Sequence, residues 1–171
     1  TTTPWTLAAN VSLTVHPEMD YLKIKLADTE DKKGDVLYVG KSLVDKVINA
    51  SKGSVIEEYE VLAELKGKDL EHMEYEQLMP FVKADKKAFF VTCADYVTDA
   101  DGTGIVHTAP AFGEDDYNTG VRYNLPVLQP VDETGKYVET PWVGKFVIDA
   151  DSEILVWLKQ EGKLYRKEVM N

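Results

Sequence analysis

The apolar residues of this chain come in strand-length runs broken by glycine-, proline- and aspartate-rich turns, and helical periodicity surfaces only three times. Tyr21 to Leu26 alternates apolar and polar residues, the period of a half-buried strand. Asp35 to Val39 reads as its partner after a turn at Gly34, and Val55, Tyr59, Val61, Ala63 and Leu65 suggest a long strand ending at Gly67. Ala88 to Cys93 is aromatic and branched enough for a buried strand, Ile105 to His107 for a short one, and Leu164 to Val169 for a last one. Val127 to Val131 and Lys136 to Val138 flank Asp132-Glu133-Thr134-Gly135, a hairpin turn. The three helices are Ser42 to Ala50 with Ser42 as N-cap, Glu114 to Tyr123 with acids in its first turn, and Ser152 to Glu161 stopped by Gly162. This order lacks a regular βαβ alternation. It predicts a β-rich α+β domain: a curled or barrel-like, mostly antiparallel sheet with about three packed helices.

The chain has 171 residues, 44% hydrophobic and 29% charged, the composition of a globular domain. Residues 1–171 are expected to form a single domain that buries roughly 70% of its unfolded surface. Cys93 is the one cysteine, which excludes an internal disulfide framework and a paired-cysteine zinc or redox site. No apolar run approaches the roughly 20 residues of a membrane span. Thr1-Thr2-Thr3-Pro4-Trp5 has neither an initiator Met nor the regions of a signal peptide. The expectation is an excised piece of a larger, cytoplasmic protein without membrane contact.

Nineteen Lys and Arg against thirty Asp and Glu leave a net charge of −11. Free-standing nucleic-acid binders cluster basic residues, because phosphate neutralisation supplies most of their affinity, so that class is disfavoured. Between Ala88 and Val121 there is no Lys or Arg, yet Asp95, Asp99, Asp101, Glu114, Asp115 and Asp116 fall there. Such a stretch is a solvated acidic surface or the lining of a pocket for a cation. Lys159, Lys163, Arg166 and Lys167 form a small basic cluster, read as a solvated face rather than a phosphate contact.

Two segments carry chemistry. In Thr1-Thr2-Thr3-Pro4-Trp5-Thr6-Leu7-Ala8-Ala9-Asn10, Pro4 fixes its own φ and keeps Thr3 out of the helical region. The four threonine hydroxyls, each donor and acceptor, suit a water or a ribose hydroxyl, or equally a threonine ladder on an edge strand. The second segment runs from Gly102-Thr103-Gly104-Ile105-Val106-His107 through Thr108-Ala109-Pro110-Ala111-Phe112-Gly113 to Glu114-Asp115-Asp116-Tyr117. Its GxG is not continued into a phosphate-binding motif. His107 has the ordinary pKa of a general base, and also the setting of a structural histidine beside a strand. Asp116 either offsets the helix dipole or faces a substrate cation. His16, His72 and His107 lack metal-ligand spacing, and no Ser-His-Asp arrangement is present.

Taken together, TTTPWTLAAN and GTGIVHTAPAFGEDDY closely resemble the editing domain inserted into isoleucyl-tRNA synthetase, of the class I synthetase family. The likeness runs the whole chain in order and length. The valyl and leucyl enzymes share the architecture but tend to carry TTRP-type and TPAHD- or VPAHD-type versions; Trp5 and His107 favour the isoleucyl assignment. Phe112 stands where some members have His. The signatures HIGH and KMSKS of the synthetic site are absent, as in an isolated insertion.

The resemblance implies hydrolysis of valine mischarged onto isoleucine tRNA, with valyl-adenylate as a further substrate. One missing methylene is worth only about 1–3 kcal/mol in a pocket, isoleucine against valine being the standard illustration, so a second, smaller site must reject isoleucine by size. It implies that Asp116 holds the substrate α-ammonium, that Thr1, Thr2, Thr3 and Thr6 hold the ester, the terminal ribose and the attacking water, and that Thr3 and His107 measure the side chain. Trp5, Asn10 and Phe112 are expected to shape the same pocket. Editing would need no metal or cofactor here; ATP, Mg and any Zn would belong to the parent enzyme. The partners implied are the acceptor end of isoleucine tRNA and the rest of the synthetase, in a monomer. Two other readings stay open: a non-catalytic insertion that orients the acceptor end, and an editing domain of valyl or leucyl type.

Overall fold

A computed structural model describes residues 1–30, 33–48 and 58–165. Their strands are β1 (Ser12–Val15), β2 (Asp20–Leu26), β3 (Val36–Gly40), β4 (Tyr59–Lys66), β5 (Phe90–Cys93) and β6 (Ile105–Thr108). The helices are α1 (Val44–Ile48), α2 (Gly67–Leu70), α3 (Glu114–Tyr123) and α4 (Asp151–Gln160), with 3-10 turns at Pro4–Ala9, Lys41–Leu43, Pro110–Phe112 and Val147–Ala150.

The α+β class holds. The strands form two three-stranded sheets, and no barrel closes among the described residues. One sheet has the order β3-β2-β4 and is antiparallel throughout, with an irregularity between Lys23 and Ile24. The other has the order β5-β1-β6, with β1 parallel to β5 and antiparallel to β6. A parallel pair needs a long crossover, and here the whole first sheet lies in the chain between β1 and β5.

β2 alternates as its sequence does: Leu22, Ile24 and Leu26 pack with Val39 of β3 and with Leu43, Val44, Val47 and Ile48. Tyr21 packs instead with Val15, Leu70, Val91 and Cys93, joining the two sheets. Its hydroxyl donates to Gly104 O at 2.6 Å, which ties the turn before β6 to β2. α4 buries Ile154 and Leu158 against Tyr137, Trp142 and Val147, each buried aliphatic side chain being worth about 1.5–3 kcal/mol. Phe81 stands edge-on to both Trp142 and Trp157 in the same cluster.

Several local expectations need correction. Ser42 lies inside the turn Lys41–Leu43, not at the helix cap, and its hydroxyl donates to Asp99 Oδ2 at 3.0 Å. α1 is correspondingly short; residues 49–57, including Ala50 and Val55, lie outside the described residues. Phe89 has φ 64°, so the strand starts at Phe90 and not at Ala88. The turn Asp132–Gly135 is present, closed by Gly135 N–H to Asp132 O at 3.0 Å, but its flanks meet only in the isolated pair Val131–Tyr137. Leu164 and Tyr165 have no regular structure, and the rest of that predicted strand, with Arg166 and Lys167, falls outside the described residues. No helix among the described residues is long and apolar enough to cross a membrane.

Candidate functional site

Pro4 opens the 3-10 turn Pro4–Ala9, with Thr3 preceding it at φ −131°. The turn is held at its start by Thr6, whose N–H and hydroxyl both donate to Thr3 O, at 3.1 and 2.9 Å. Trp5 O accepts from the buried Tyr137 hydroxyl at 2.6 Å, so a residue of the distant α4 cluster anchors the threonine segment.

The second segment arrives by a different route. Gly102 and Gly104 take φ 74° and 78°, which bends the chain into β6. His107 lies in β6 opposite Leu13. After the turn Pro110–Phe112, α3 begins with Glu114, Asp115 and Asp116 in its first turn, where negative charge offsets the helix dipole. Asp116 Oδ2 also accepts from Ala109 N–H at 3.0 Å, which turns this carboxylate back toward the end of β6. Gly113 precedes the helix in extended backbone, and a Cβ there would stand 3.2 Å from Asp116 Cγ and Oδ1. Space beside the carboxylate, not backbone conformation, is what glycine supplies.

The two segments meet at a cavity of about 290 Å³ lined by Thr1, Thr3, Trp5, Thr6, His107, Ala109, Phe112 and Asp116. The Trp5 and Phe112 rings meet edge to face at 4.9 Å along its wall. Every lining residue but Ala109 is a candidate from the sequence. Thr2 is exposed and off the lining, with its hydroxyl 3.4 Å from that of Thr3. Asn10 is also off the lining, buried behind His107. Of the six acids in the base-free stretch only Asp116 reaches the cavity; the other five are exposed. The lone basic residues described from the terminal cluster, Lys159 and Lys163, are exposed, and Lys163 Nζ donates to Leu78 O at 3.0 Å.

The hydrogen bonds define the state of His107. Asn10 Nδ2 donates to Ser12 O at 2.9 Å, and a carbonyl can only accept, so that end of the side chain is the amino group. The same Nδ2 lies 2.7 Å from His107 Nδ1, which must therefore accept. The ring proton sits on Nε2 and is given to Thr6 Oγ1 at 3.0 Å, while Thr6 passes its own proton to Thr3 O. Burial lowers the His107 pKa to about 4. The ring is neutral at physiological pH, with both nitrogens occupied. Burial pushes the Asp116 carboxyl above the usual carboxylate range, against the opposing pull of Ala109 N–H. A cationic ligand beside it would restore the charged form.

Tyr75 is the residue that sequence reasoning missed: its hydroxyl donates to Asn10 Oδ1 at 2.6 Å. A lone tyrosine between Glu74 and Glu76 in irregular chain gives no periodic signal. Tyr137, by sequence only a hairpin residue, likewise acts through its hydroxyl on Trp5 O. Among the described residues no three His, Cys, Asp or Glu side chains gather as metal ligands would.

No protein-family model matches the chain. Among curated proteins, an isoleucine–tRNA ligase of Clostridium novyi (strain NT) is 48% identical over 170 residues, 98% of this chain and 15% of that protein. The isoleucine–tRNA ligase of Methanocaldococcus jannaschii is 44% identical over 174 residues, 96% of this chain and 16% of that protein. The chain thus spans 15% to 16% of the length of these relatives. Among solved structures, the editing domain of P. knowlesi cytosolic leucyl-tRNA synthetase superposes with a TM-score of 0.69 at 12% identity, over 95% of this chain and 80% of that one. That of P. falciparum gives 0.67 at 12%, over 94% and 75%. At such identities the likeness speaks for the fold. The chain therefore belongs to the isoleucine–tRNA ligase family, as one segment of it, and is folded like the editing domains of the leucyl enzymes.

Proposed function

We propose that the cavity beside Asp116 is a hydrolytic editing site, which removes valine esterified to the acceptor end of isoleucine tRNA and also takes valyl-adenylate. The observation that carries this reading is one half-buried carboxylate, Asp116, on the same cavity as the hydroxyl-bearing residues Thr1, Thr3 and Thr6. An aminoacyl ester offers an ammonium beside its carbonyl. The carboxylate grips the ammonium in a charge-assisted contact, and the threonines aim a water at the carbonyl carbon. The water oxygen bonds to that carbon, the bond to the ribose oxygen breaks, and the water's proton ends on the departing ribose hydroxyl. Hydroxyl and backbone donors would stabilise the oxyanion on the way.

His107 acts here as a wall. A ring whose Nδ1 lone pair is taken by Asn10 and whose Nε2 already holds the proton has nothing with which to accept another. With Thr3, Trp5 and Phe112 it lines the cavity of about 290 Å³ and is the wall against which one methylene more than valine would press. Thr2 and Asn10 serve from outside the lining, Thr2 toward the ribose and Asn10 through the ring. The segment works within a monomeric, cytoplasmic synthetase and needs no cofactor of its own for this step.

The test is deacylation of valyl-, isoleucyl- and threonyl-tRNA by the synthetase that carries this segment. The expected result is rapid loss of valine and retention of isoleucine. Equal hydrolysis of both esters refutes the size sieve. Binding of the acceptor end without turnover favours a non-catalytic insertion, and faster loss of threonine than of valine favours a valyl-type site.

A further inference from the structure

We propose that Tyr75 is a positioning residue for the cavity: its hydroxyl locks the Asn10 amide in the orientation that holds His107 as the Nε2–H tautomer and aims that proton at Thr6.

Tyr75 is fastened close to Asn10 by backbone. Its N–H donates to Phe89 O at 2.9 Å, and Phe89 N–H donates to Val11 O at 2.8 Å, so one residue separates it from the strand that continues Asn10. The left-handed φ of 64° at Phe89 makes this join, and the Tyr75 and Phe89 rings meet edge to face at 6.2 Å. From there the hydroxyl reaches Asn10 Oδ1 at 2.6 Å.

Asn10 is 5% exposed, so its polar atoms depend on protein partners. The amino group has two protons, for Ser12 O and His107 Nδ1, and the carbonyl oxygen takes the Tyr75 proton. A half-turn of the amide would bring Oδ1 against Ser12 O and present an acceptor to His107, drawing the ring proton to Nδ1. Ser12 O, which can only accept, resists that turn from one side; from the other, the Tyr75 hydroxyl could accept from a turned amino group only by giving up Asn10 Oδ1 as the acceptor of its own proton. Were it to happen, Nε2 would become an acceptor, and the Thr6 hydroxyl would swing to it and release Thr3 O. Tyr75 thus acts on the cavity through three side chains, Asn10, His107 and Thr6, and the Thr3 carbonyl, without touching it.

Tyr75→Phe keeps the ring and removes only the donor. The measurement is the pair of 15N shifts of His107 in the whole chain above neutral pH, with no substrate. In the wild type one shift reports protonated Nε2 and the other bare Nδ1. In Tyr75→Phe an Nδ1–H signal appears, and in the synthetase the preference for valyl over isoleucyl ester shrinks. Wild-type ring shifts in a folded Tyr75→Phe chain overturn the proposal. Should that variant melt below the working temperature, the wild type decides: a slowly exchanging Tyr75 hydroxyl proton with a cross-peak to Asn10 upholds the lock, and a freely exchanging one overturns it. The loss of preference rests on the editing reading, whereas the ring shifts do not. A wild type that hydrolyses neither ester removes that reading and leaves the tautomer result standing.

Discussion

His107 and Asn10 meet nitrogen to nitrogen, ring Nδ1 to amide Nδ2 at 2.7 Å. Only one of those atoms can bring the proton, and Ser12 O identifies it as the amide. The consequence runs from one contact to the chemistry of the cavity: the histidine that its ordinary pKa would nominate as a base is spent as a donor to Thr6. The hydrolysis rate is therefore expected to show no ascending limb near pH 4, where the folded ring titrates, that His107→Gln removes. Such a limb in the wild type, lost in the variant, contradicts the wall assignment.

Burial of the same ring bears on stability. The folded His107 titrates at about 4 against an ordinary 6.5, so between those pH values the unfolded chain binds a proton that the folded chain refuses. Its contribution is full above 6.5, falls as pH drops, and is gone below about 4, a total of about 3 kcal/mol. Denaturant melts at neutral pH and near pH 4 should show a larger loss in the wild type than in His107→Gln. Equal losses contradict the burial of a neutral ring.

Asp116 has the opposite sign. Its folded pKa is raised, so the fold prefers the protonated acid, and this term gains as pH falls and costs stability once the group ionises. Asp116→Asn is expected to melt higher at neutral pH while losing about 10- to 100-fold in kcat/KM for the valyl ester, the worth of one charged hydrogen bond. Hydrolysis by the wild type should also decline on acidification at a higher pH than an ordinary aspartate would impose. A variant that is both less stable and fully active contradicts the anchor.

Gly113→Ala tests the space beside that carboxylate. A Cβ at 3.2 Å from Asp116 Cγ and Oδ1 must displace it, although the extended backbone accepts alanine without strain. The expectation is a raised KM for the valyl ester with little change in melting temperature. An unchanged KM means that the carboxylate does not need its present place.

Thr14→Val probes the sheet beneath the site. Thr14, Thr92, Thr108 and Ser12 are fully buried, and Thr14 Oγ1 bonds Thr108 at 2.5 Å and Thr92 at 3.0 Å. Valine keeps the shape and leaves two hydroxyls short of a partner, at a cost of about 1–3 kcal/mol. A melt within a few tenths of the wild type contradicts a tight network.

That strand also shows what the sequence leaves illegible. Ser12-Leu13-Thr14-Val15 is the centre of its sheet; the polar–apolar alternation from Asn10 to His16 marks a strand, but the same periodicity reads Ser12 and Thr14 as surface. Here they are buried because they satisfy one another across strands that lie about eighty and ninety residues away. α3 and α4, by contrast, are local objects. Acids at one end and Asn124 in the left-handed region at the other delimit α3, and its bounds are readable from residues alone. In the site, the hydroxyls, the wall and the carboxylate were legible as residue types in two segments. Tyr75 and Tyr137 were not, since each acts through one hydroxyl on a partner 65 or 132 positions away.

The most direct measurement is a crystal structure of the chain with a non-hydrolysable valyl ester analogue. The account predicts the analogue's ammonium on the Asp116 carboxylate, its side chain against His107 and Thr3, and a water held by threonine hydroxyls near the carbonyl carbon. An analogue bound away from this cavity, with Asp116 facing solvent, would contradict it.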